Sequence, residues 1–254
     1  MFVEVKNLTI EYETRKIQSE SGIWRQIFLP GYESRTVLQD LSFTIDSPGI
    51  TAFLGKNGAG KTTLLKALTG LLTPKQGSIS VNGYKPIQRK DSFLRSIGVV
   101  FGQKRMLWPE LSFEENLKLT AALYLIPSDE VQRRIQELVD LFQIGNLSNR
   151  PVRSFSLGES MKAEIANILL FRPKVLFLDE PTIGLDLASQ VTLRNALMEY
   201  RQRWPDCHIL LTSHNLQDVE VLAQNIAFLE KGQLQFIDPK MGMDAVAARL
   251  LAKE

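Results

Sequence analysis

Hydrophobic and polar residues at the start of this chain alternate in a way that is typical of β-strands. Alternation with a period of two predicts a half-exposed strand over residues 2–10, and strand character returns over residues 36–45. Between them, residues 13–35 break the pattern with mixed charge, glycine and proline. The apolar run at residues 49–55 ends in glycine, as expected of a buried parallel strand.

Helical spacing appears next, and strands and helices then alternate along the chain. Helices are predicted over 61–72, 112–125 and 128–142, after Gly158, and near 187–203; strands are predicted over 77–83, 97–101, 175–180, 208–214 and 225–237, the last as a hairpin turning at Lys231–Gly232. Ser112 and Glu115 have capping-box spacing. Strands that alternate with helices predict a parallel sheet with right-handed crossovers, interrupted here by a mostly helical block.

Composition and length indicate an ordinary globular protein of one large domain or two small ones. The chain has 254 residues, of which 44% are hydrophobic and 23% charged. Its net charge of +2 is too small to indicate nucleic acid, and its single cysteine, Cys207, allows no internal disulfide. We expect neither a signal peptide nor a membrane span, so membrane association would come from a partner or a surface patch.

Residues 55–62, GKNGAGKT, form a phosphate-loop motif between a predicted strand and a predicted helix. Its glycines let backbone N–H groups point at phosphate oxygens, and the N-terminus of the following helix adds positive potential. Lys61 is expected to reach the β- and γ-phosphates, and the Thr62 hydroxyl to bind Mg²⁺. The predicted nucleotide-binding residues here are Gly55, Lys56, Asn57, Gly58, Ala59, Gly60, Lys61, Thr62 and Thr63. The alternative is a glycine-rich turn without a ligand.

Two acidic residues end the buried run VLFLDE at residues 175–180. A parallel strand delivers Asp179 to the edge of the sheet where ligands bind, so Asp179 is a candidate partner of Mg²⁺. Because side chains alternate along a strand, Glu180 points elsewhere and is the candidate general base for an attacking water. The alternative is a strand that simply ends in a polar turn at Pro181.

A small turn at residues 155–159, FSLGE, opens a predicted helix and could bind an anion. An ordinary N-cap by Ser156 is the alternative. The turn resembles the signature of ABC-type ATPases, usually L-S-G-G-Q, with Leu157 replacing a glycine and Glu159 replacing the glutamine. The resemblance implies that Ser156 and Gly158 grip the γ-phosphate of ATP held by the other subunit. We expect Leu157 to stiffen the turn and Glu159 to add a negative charge that faces solvent.

Further motifs of ABC-type ATPases stand in family order along residues 2–237. By this resemblance Gln103 is the Q-loop glutamine, which contacts the metal and the attacking water. Asp186, in the D-loop GLD, works across a dimer, and His214 is the switch histidine at the γ-phosphate.

The aromatic residue that stacks on adenine is less well defined by the resemblance. Tyr12 matches by its place at the end of the first strand. Tyr32 matches by its place just before the second strand, and it is the preferred candidate if residues 13–31 are an insertion.

The resemblance implies an α/β fold of the ABC-type P-loop NTPases, with a mainly parallel sheet, an antiparallel β subdomain and an inserted helical subdomain. The expected division is one domain over residues 1–254: a catalytic core with the β subdomain at 1–104 and 173–237, a helical subdomain at 105–172, and a C-terminal helix at 238–254. Two copies, or the chain and a related ATPase, would sandwich two ATP molecules with Mg²⁺. They would drive a transmembrane permease from the cytoplasmic face of the cell membrane, as in ABC-2-type exporters.

Two apolar segments have more than one interpretation. Met106, Leu107, Trp108 and Phe113 either form the groove that receives the membrane subunit, which is preferred, or pack inside the helical block. The insertion at residues 13–34 contacts headgroups or a partner, or packs on the protein's own strands.

The sequence supports two alternative functions less well. A soluble ABC ATPase acting on ribosomes or DNA is disfavoured by the single cassette and the near-neutral charge. A regulatory subunit without activity is disfavoured because Glu180, Gln103 and His214 are all present.

Overall fold

A computed structural model describes residues 2–16, 31–46, 49–102 and 105–237, with side chains left out at 14–16 and 31–33. Within these ranges the chain forms nine strands and seven α-helices. The strands are β1 (Val3–Lys16), β2 (Gly31–Ile45), β3 (Ile50–Leu54), β4 (Gln76–Val81), β5 (Ile97–Phe101), β6 (Val175–Asp179), β7 (His208–Thr212), β8 (Asn225–Glu230) and β9 (Gln233–Ile237). The helices are α1 (Lys61–Leu68), α2 (Asp91–Leu94), α3 (Phe113–Leu123), α4 (Ser128–Phe142), α5 (Leu157–Leu169), α6 (Leu187–Arg203) and α7 (Leu216–Leu222).

The larger sheet has six strands in the order β5-β6-β7-β3-β8-β9. The first five run parallel, and β9 returns antiparallel to β8. Asp179 at the end of β6 lies level with Thr212 of β7, which in turn lies level with Phe53 of β3. This register brings the carboxyl ends of β6, β7 and β3 to one edge, where the phosphate loop begins. The predicted mainly parallel sheet is confirmed.

Two layers cover the larger sheet, and the alternation along β6 separates them. Val175 and Phe177 pack with α1 and with the antiparallel sheet β2-β1-β4. Leu176 and Leu178 pack on the opposite face, with helices α3 to α7. One hydrophobic core therefore joins the helical block to the sheet, and the proposed division into subdomains stays a prediction. In the described ranges, no helix combines the length and hydropathy that crossing a bilayer requires.

The first hairpin is longer than the sequence pattern predicts. Residues 13–16 continue β1, and residues 31–35 begin β2, with Glu13 paired to Ser34. The predicted break at 13–35 is wrong at both ends because antiparallel pairing satisfies the backbone groups whatever the polarity of the side chains. The rest of the insertion and the predicted C-terminal helix at 238–254 lie outside the described residues.

Local capping chemistry sets the start of α3, as the sequence predicts. The Ser112 hydroxyl accepts a hydrogen bond from the Glu115 N–H, and the Glu115 carboxylate accepts one from the Ser112 N–H. This capping box satisfies N–H groups that a helix start leaves unpaired. The sequence pattern missed the short helices α2 and α7.

Candidate active site

The phosphate loop joins the end of β3 to the start of α1. Gly60 caps the helix with a φ of 104°, and a Cβ there would lie 2.8 Å from Leu38 Cδ2, so the position requires glycine. Lys61 is buried, and its Nζ donates hydrogen bonds to the carbonyl oxygens of Gly55 at 2.7 Å and Lys56 at 3.3 Å. The loop thus holds an ammonium group at its centre, where the motif predicts phosphate binding.

Asp179 and Thr62 meet, although 117 residues separate them. The Thr62 hydroxyl lies 3.0 Å and 2.9 Å from the two carboxylate oxygens of Asp179. The Thr212 hydroxyl of the neighbouring strand donates to the same carboxylate at 2.7 Å. Sequence reasoning missed Thr212, whose role follows only from the sheet register. A carboxylate beside a hydroxyl offers the hard oxygen ligands that suit Mg²⁺.

Glu180 lies one residue beyond β6, in a left-handed conformation with a φ of 52°. The direction of the Glu180 side chain is therefore set by a strained turn of the kind found at functional sites, and not by strand alternation as predicted. Its carboxylate contacts His214 Nδ1 at 2.7 Å and accepts from the His214 N–H at 3.2 Å. Its other oxygen lies 3.7 Å from Lys61 Nζ. The structure thus brings three predicted residues together, with His214 two residues past the end of β7.

Two predicted site residues fall partly or wholly outside the described part. Gln103 is not described, but the N–H of the preceding Gly102 donates to the Asp179 carbonyl at 3.1 Å. The Tyr32 side chain is not described either, and its backbone pairs with Arg15. The structure places the alternative, Tyr12, beside the phosphate loop, with its hydroxyl 3.3 Å from the Thr63 hydroxyl.

The signature turn is built around an N-cap. The Ser156 hydroxyl accepts from the Glu159 N–H at 3.2 Å, and a Glu159 carboxylate oxygen accepts from the Ser156 N–H at 2.8 Å. Arg150 donates to the other oxygen at 3.0 Å. The Ser156 N–H, followed by Arg150, holds the pKa of Glu159 below its usual value. The Glu159 side chain is 25% exposed, so the expectation that it faces solvent holds in part, and Arg150 balances the charge that it adds.

The signature turn packs directly on the D-loop. A Cβ at Gly158 would lie 2.4 Å from the Ser189 hydroxyl oxygen and 2.8 Å from Ser189 Cβ, so this contact requires glycine. Asp186 caps α6 by accepting from the Ser189 N–H at 2.9 Å and from its hydroxyl at 2.6 Å. These hydrogen bonds lower the pKa of Asp186. Two elements predicted to act across a dimer therefore share one packed surface.

A buried ionic network lies behind the residues predicted to be catalytic. Asp218 is fully buried and accepts from Arg194 Nε at 2.7 Å and from the Ser213 hydroxyl at 2.8 Å. It also accepts from the Thr182 hydroxyl. Ser213 precedes His214, and Thr182 follows Glu180 by two positions. The network thus ties the D-loop helix to the two loops that carry the proposed base and the switch histidine. The sequence analysis missed all four residues.

The apolar residues after the Q-loop divide between two environments. Met106 and Trp108 are 52% and 63% exposed, whereas Leu107 and Phe113 are buried in the core. The partner-surface interpretation is therefore wrong for Leu107, whose side chain turns to the core between two exposed neighbours, and for Phe113, which begins α3 with its side chain buried. It stays a prediction for Met106 and Trp108.

Comparison with known proteins adds independent support for the family. The ABC transporter family matches residues 38–183. The ABC transporter ATP-binding protein NatA of Bacillus subtilis is 33% identical over 197 residues, covering 78% of this chain and 79% of NatA. The lantibiotic transport ATP-binding protein SrtF of Streptococcus pyogenes is 35% identical over 203 residues, covering 80% of this chain and 84% of SrtF.

A solved structure gives the same result for the fold. The protein cbiO1 of Clostridium perfringens, part of the ABC transporter complex cbiONQ, superposes with a TM-score of 0.76 at 25% identity, over 98% of this chain and 92% of that protein. The expected ABC-type α/β fold is confirmed. The chain therefore belongs to the ABC transporter family, as an ATP-binding and ATP-hydrolysing subunit.

Proposed function

We propose that two copies of this chain, or this chain and a related ATPase, close around two ATP molecules and thereby drive a transmembrane permease. Each ATP would bind the phosphate loop of one copy and the signature turn of the other. The observation that carries this proposal is the signature turn itself. The Ser156 side chain stands at the start of α5, beside the N–H groups that a helix start leaves unpaired, and together these groups suit an anion such as a phosphate.

The surface around the signature turn suits a second copy. Leu157, Ile183, Leu187 and Val191 are 47%, 46%, 67% and 44% exposed. Leu187 and Val191 are four positions apart on α6 and so share one face of the helix. A Cβ at Gly184 would lie 3.1 Å from Leu157 Cδ2, so the signature turn borders the D-loop here. Clustered exposed apolar side chains of this kind mark protein interfaces.

Within the closed site, Glu180 would remove a proton from the attacking water, with His214 holding its carboxylate in place. Lys61 and the N–H groups of the phosphate loop would bind the β- and γ-phosphates. Thr62 and Asp179 would hold Mg²⁺, together with Gln103 as the family resemblance implies. A bound Mg²⁺ would neutralise the charge that develops on the phosphates. Tyr32 or Tyr12 would stack on adenine.

The test of the composite site is whether activity depends on pairing. If each site needs two copies, the ATPase rate per chain should rise with chain concentration and then level off as the dimer forms. Light scattering should find a larger dimer fraction with ATP than with ADP, since ATP is a ligand of the dimer. A rate per chain that stays constant while light scattering finds only monomers would refute the composite site.

Membrane association would come through the permease, at the cytoplasmic face of the cell membrane. Met106 and Trp108 offer exposed apolar side chains next to the Q-loop, where a helix of the permease would dock. Export is proposed from the resemblance to ABC-2-type exporters, and the transport function in the name of SrtF agrees with a role in moving cargo. The relatives do not favour a soluble ATPase acting on ribosomes or DNA.

Trp108→Ala should weaken assembly with the permease at least tenfold while leaving the basal ATPase rate within about twofold. An aromatic anchor that becomes buried in an interface often contributes about 2 kcal/mol or more to binding. Trp108 is not among the residues proposed to bind the nucleotide. Co-purification of the permease with the tagged chain measures assembly. Phe236→Ala is the matched control, because Phe236 is an aromatic residue that is 42% exposed on β9. Equal losses in both variants would contradict a docking role for Trp108.

A further inference from the structure

Glu164 is a buried acidic residue of the helix that begins at the signature turn, which we name the signature helix. It lies in α5, and its side chain is 4% exposed. One carboxylate oxygen, Oε1, accepts from the Met106 N–H at 2.7 Å and from the Leu107 N–H at 3.1 Å. In the described part of the chain Oε2 is buried without a hydrogen-bond partner. Burying a carboxylate with one unsatisfied oxygen is costly, so a simple packing role explains this residue poorly.

The two N–H groups that donate hydrogen bonds to Glu164 belong to residues 105–108, which we name the docking segment. This segment follows the Q-loop directly and carries the exposed side chains of Met106 and Trp108. Leu107 between them is buried, so the segment lies flat on the helical block. The Glu164 carboxylate thus joins the backbone of the docking segment to the helix that begins at the signature turn.

A second side chain holds the same segment but from another helix. Asn116 of α3 accepts from the Trp108 N–H at 2.7 Å and donates to the Trp108 carbonyl at 3.1 Å. The docking segment is therefore fixed at one end to α3 and at the other to α5. Asn116 gives a control that loosens the segment without touching its link to the signature helix.

Glu164 lies eight positions after Ser156 in α5, which is about 12 Å along the helix. A helix of this length is rigid, so a movement of the signature turn carries Glu164 with it. We infer that Glu164 is the positioning residue that makes the docking segment move with the signature helix when ATP closes the dimer. This inference rests on the proposed function, because it assigns the route from the signature turn to the permease surface.

The ionisation of Glu164 reflects its burial. Burial raises the pKa of its carboxyl, and the N–H groups of Leu107 and Met106 and the charge of Arg105 oppose that rise. Ser160 and Asn167, four positions before and three after, are also buried with an unpartnered side-chain oxygen in the described part. The face of α5 around Glu164 is therefore more polar than packing alone requires.

Amide hydrogen exchange in the absence of ATP tests the link directly. In the parent protein the Met106 and Leu107 amides should be protected. Glu164→Ala should speed their exchange about tenfold, as expected for the loss of a hydrogen bond to a charged acceptor. Glu164→Gln keeps an acceptor oxygen and should preserve the protection, which also guards against misfolding of the alanine variant. Asn116→Ala should speed exchange at Trp108 but not at Met106 or Leu107. Unchanged exchange in Glu164→Ala would overturn the link.

A second arm tests the movement, in a Glu180→Gln background that holds ATP. In that background ATP should slow exchange at the amides of Leu157 and Gly158 and also at the docking segment. With Glu164→Ala added, ATP should still protect the signature turn but no longer the docking segment. Protection of both by ATP despite Glu164→Ala would overturn the inference. If ATP fails to protect the signature turn in the Glu180→Gln protein itself, the proposed dimer is wrong. The exchange experiment without ATP then still tests the contact between Glu164 and the docking segment.

Discussion

Glu180→Gln should lower the rate of ATP hydrolysis by about 10²- to 10⁴-fold, the range that a positioned general base contributes. Glutamine has nearly the same shape and can still contact His214, but it cannot take a proton from water. Binding of ATP should survive, because the residues proposed to grip the phosphates are unchanged. The variant should therefore accumulate as an ATP-bound dimer, which size-exclusion chromatography and a phosphate-release assay together would detect.

The control for this prediction is a glutamate of the same chemistry outside the site. Glu220 is exposed on α7, six positions after His214, and Glu220→Gln should hydrolyse ATP at the parent rate. The prediction also separates two roles of the acid. A loss of ATP binding in Glu180→Gln would mean that Glu180 acts mainly by orienting Lys61, which lies 3.7 Å away. Hydrolysis at the parent rate would remove Glu180 as the base altogether.

Much of this site follows from local sequence patterns. The sequence clearly predicts the phosphate loop and the buried strand that ends in Asp179. A parallel sheet brings the ends of its strands to one edge. The contact between Thr62 and Asp179 was therefore predictable, even though the sheet register that places Thr212 beside them was not. Periodicity also predicted α4 correctly, because its apolar residues repeat at helical intervals along one buried face.

The residues that sequence reasoning missed act through contacts with no local period. Arg194 and Asp218 are 24 positions apart, and Met106 and Glu164 are 58 apart. Of these four residues, only Glu164 could have been identified from the sequence. Met161, Ile165 and Ile168 have the spacing of an apolar helix face, and Glu164 lies at the edge of that face, next to Ser160 and Asn167. An acid at the edge of a buried helix face indicates a carboxylate with a specific partner.

Asp218→Ala should lower the free energy of unfolding by about 3–5 kcal/mol, the cost of breaking a buried ion pair by removing one partner. Arg194 is 5% exposed and would keep a buried charge without its carboxylate. The hydroxyls of Ser213 and Thr182 would lose their acceptor as well. For a chain of this size the melting temperature should fall by about 6–20 °C. Urea unfolding followed by circular dichroism measures the change.

The matched control is an ion pair of the same kind on the surface. Glu199 and Arg203 pair along α6 with both side chains about half exposed, so Glu199→Ala should cost less than about 1 kcal/mol. The double variant Arg194→Met with Asp218→Leu separates the charge from the packing. Because it removes both buried charges, it should recover most of the stability that Asp218→Ala loses. Its ATPase rate should stay low, since the loops that carry Glu180 and His214 lose their shared anchor. Full activity in the double variant would mean that the network stabilises the fold without positioning the site.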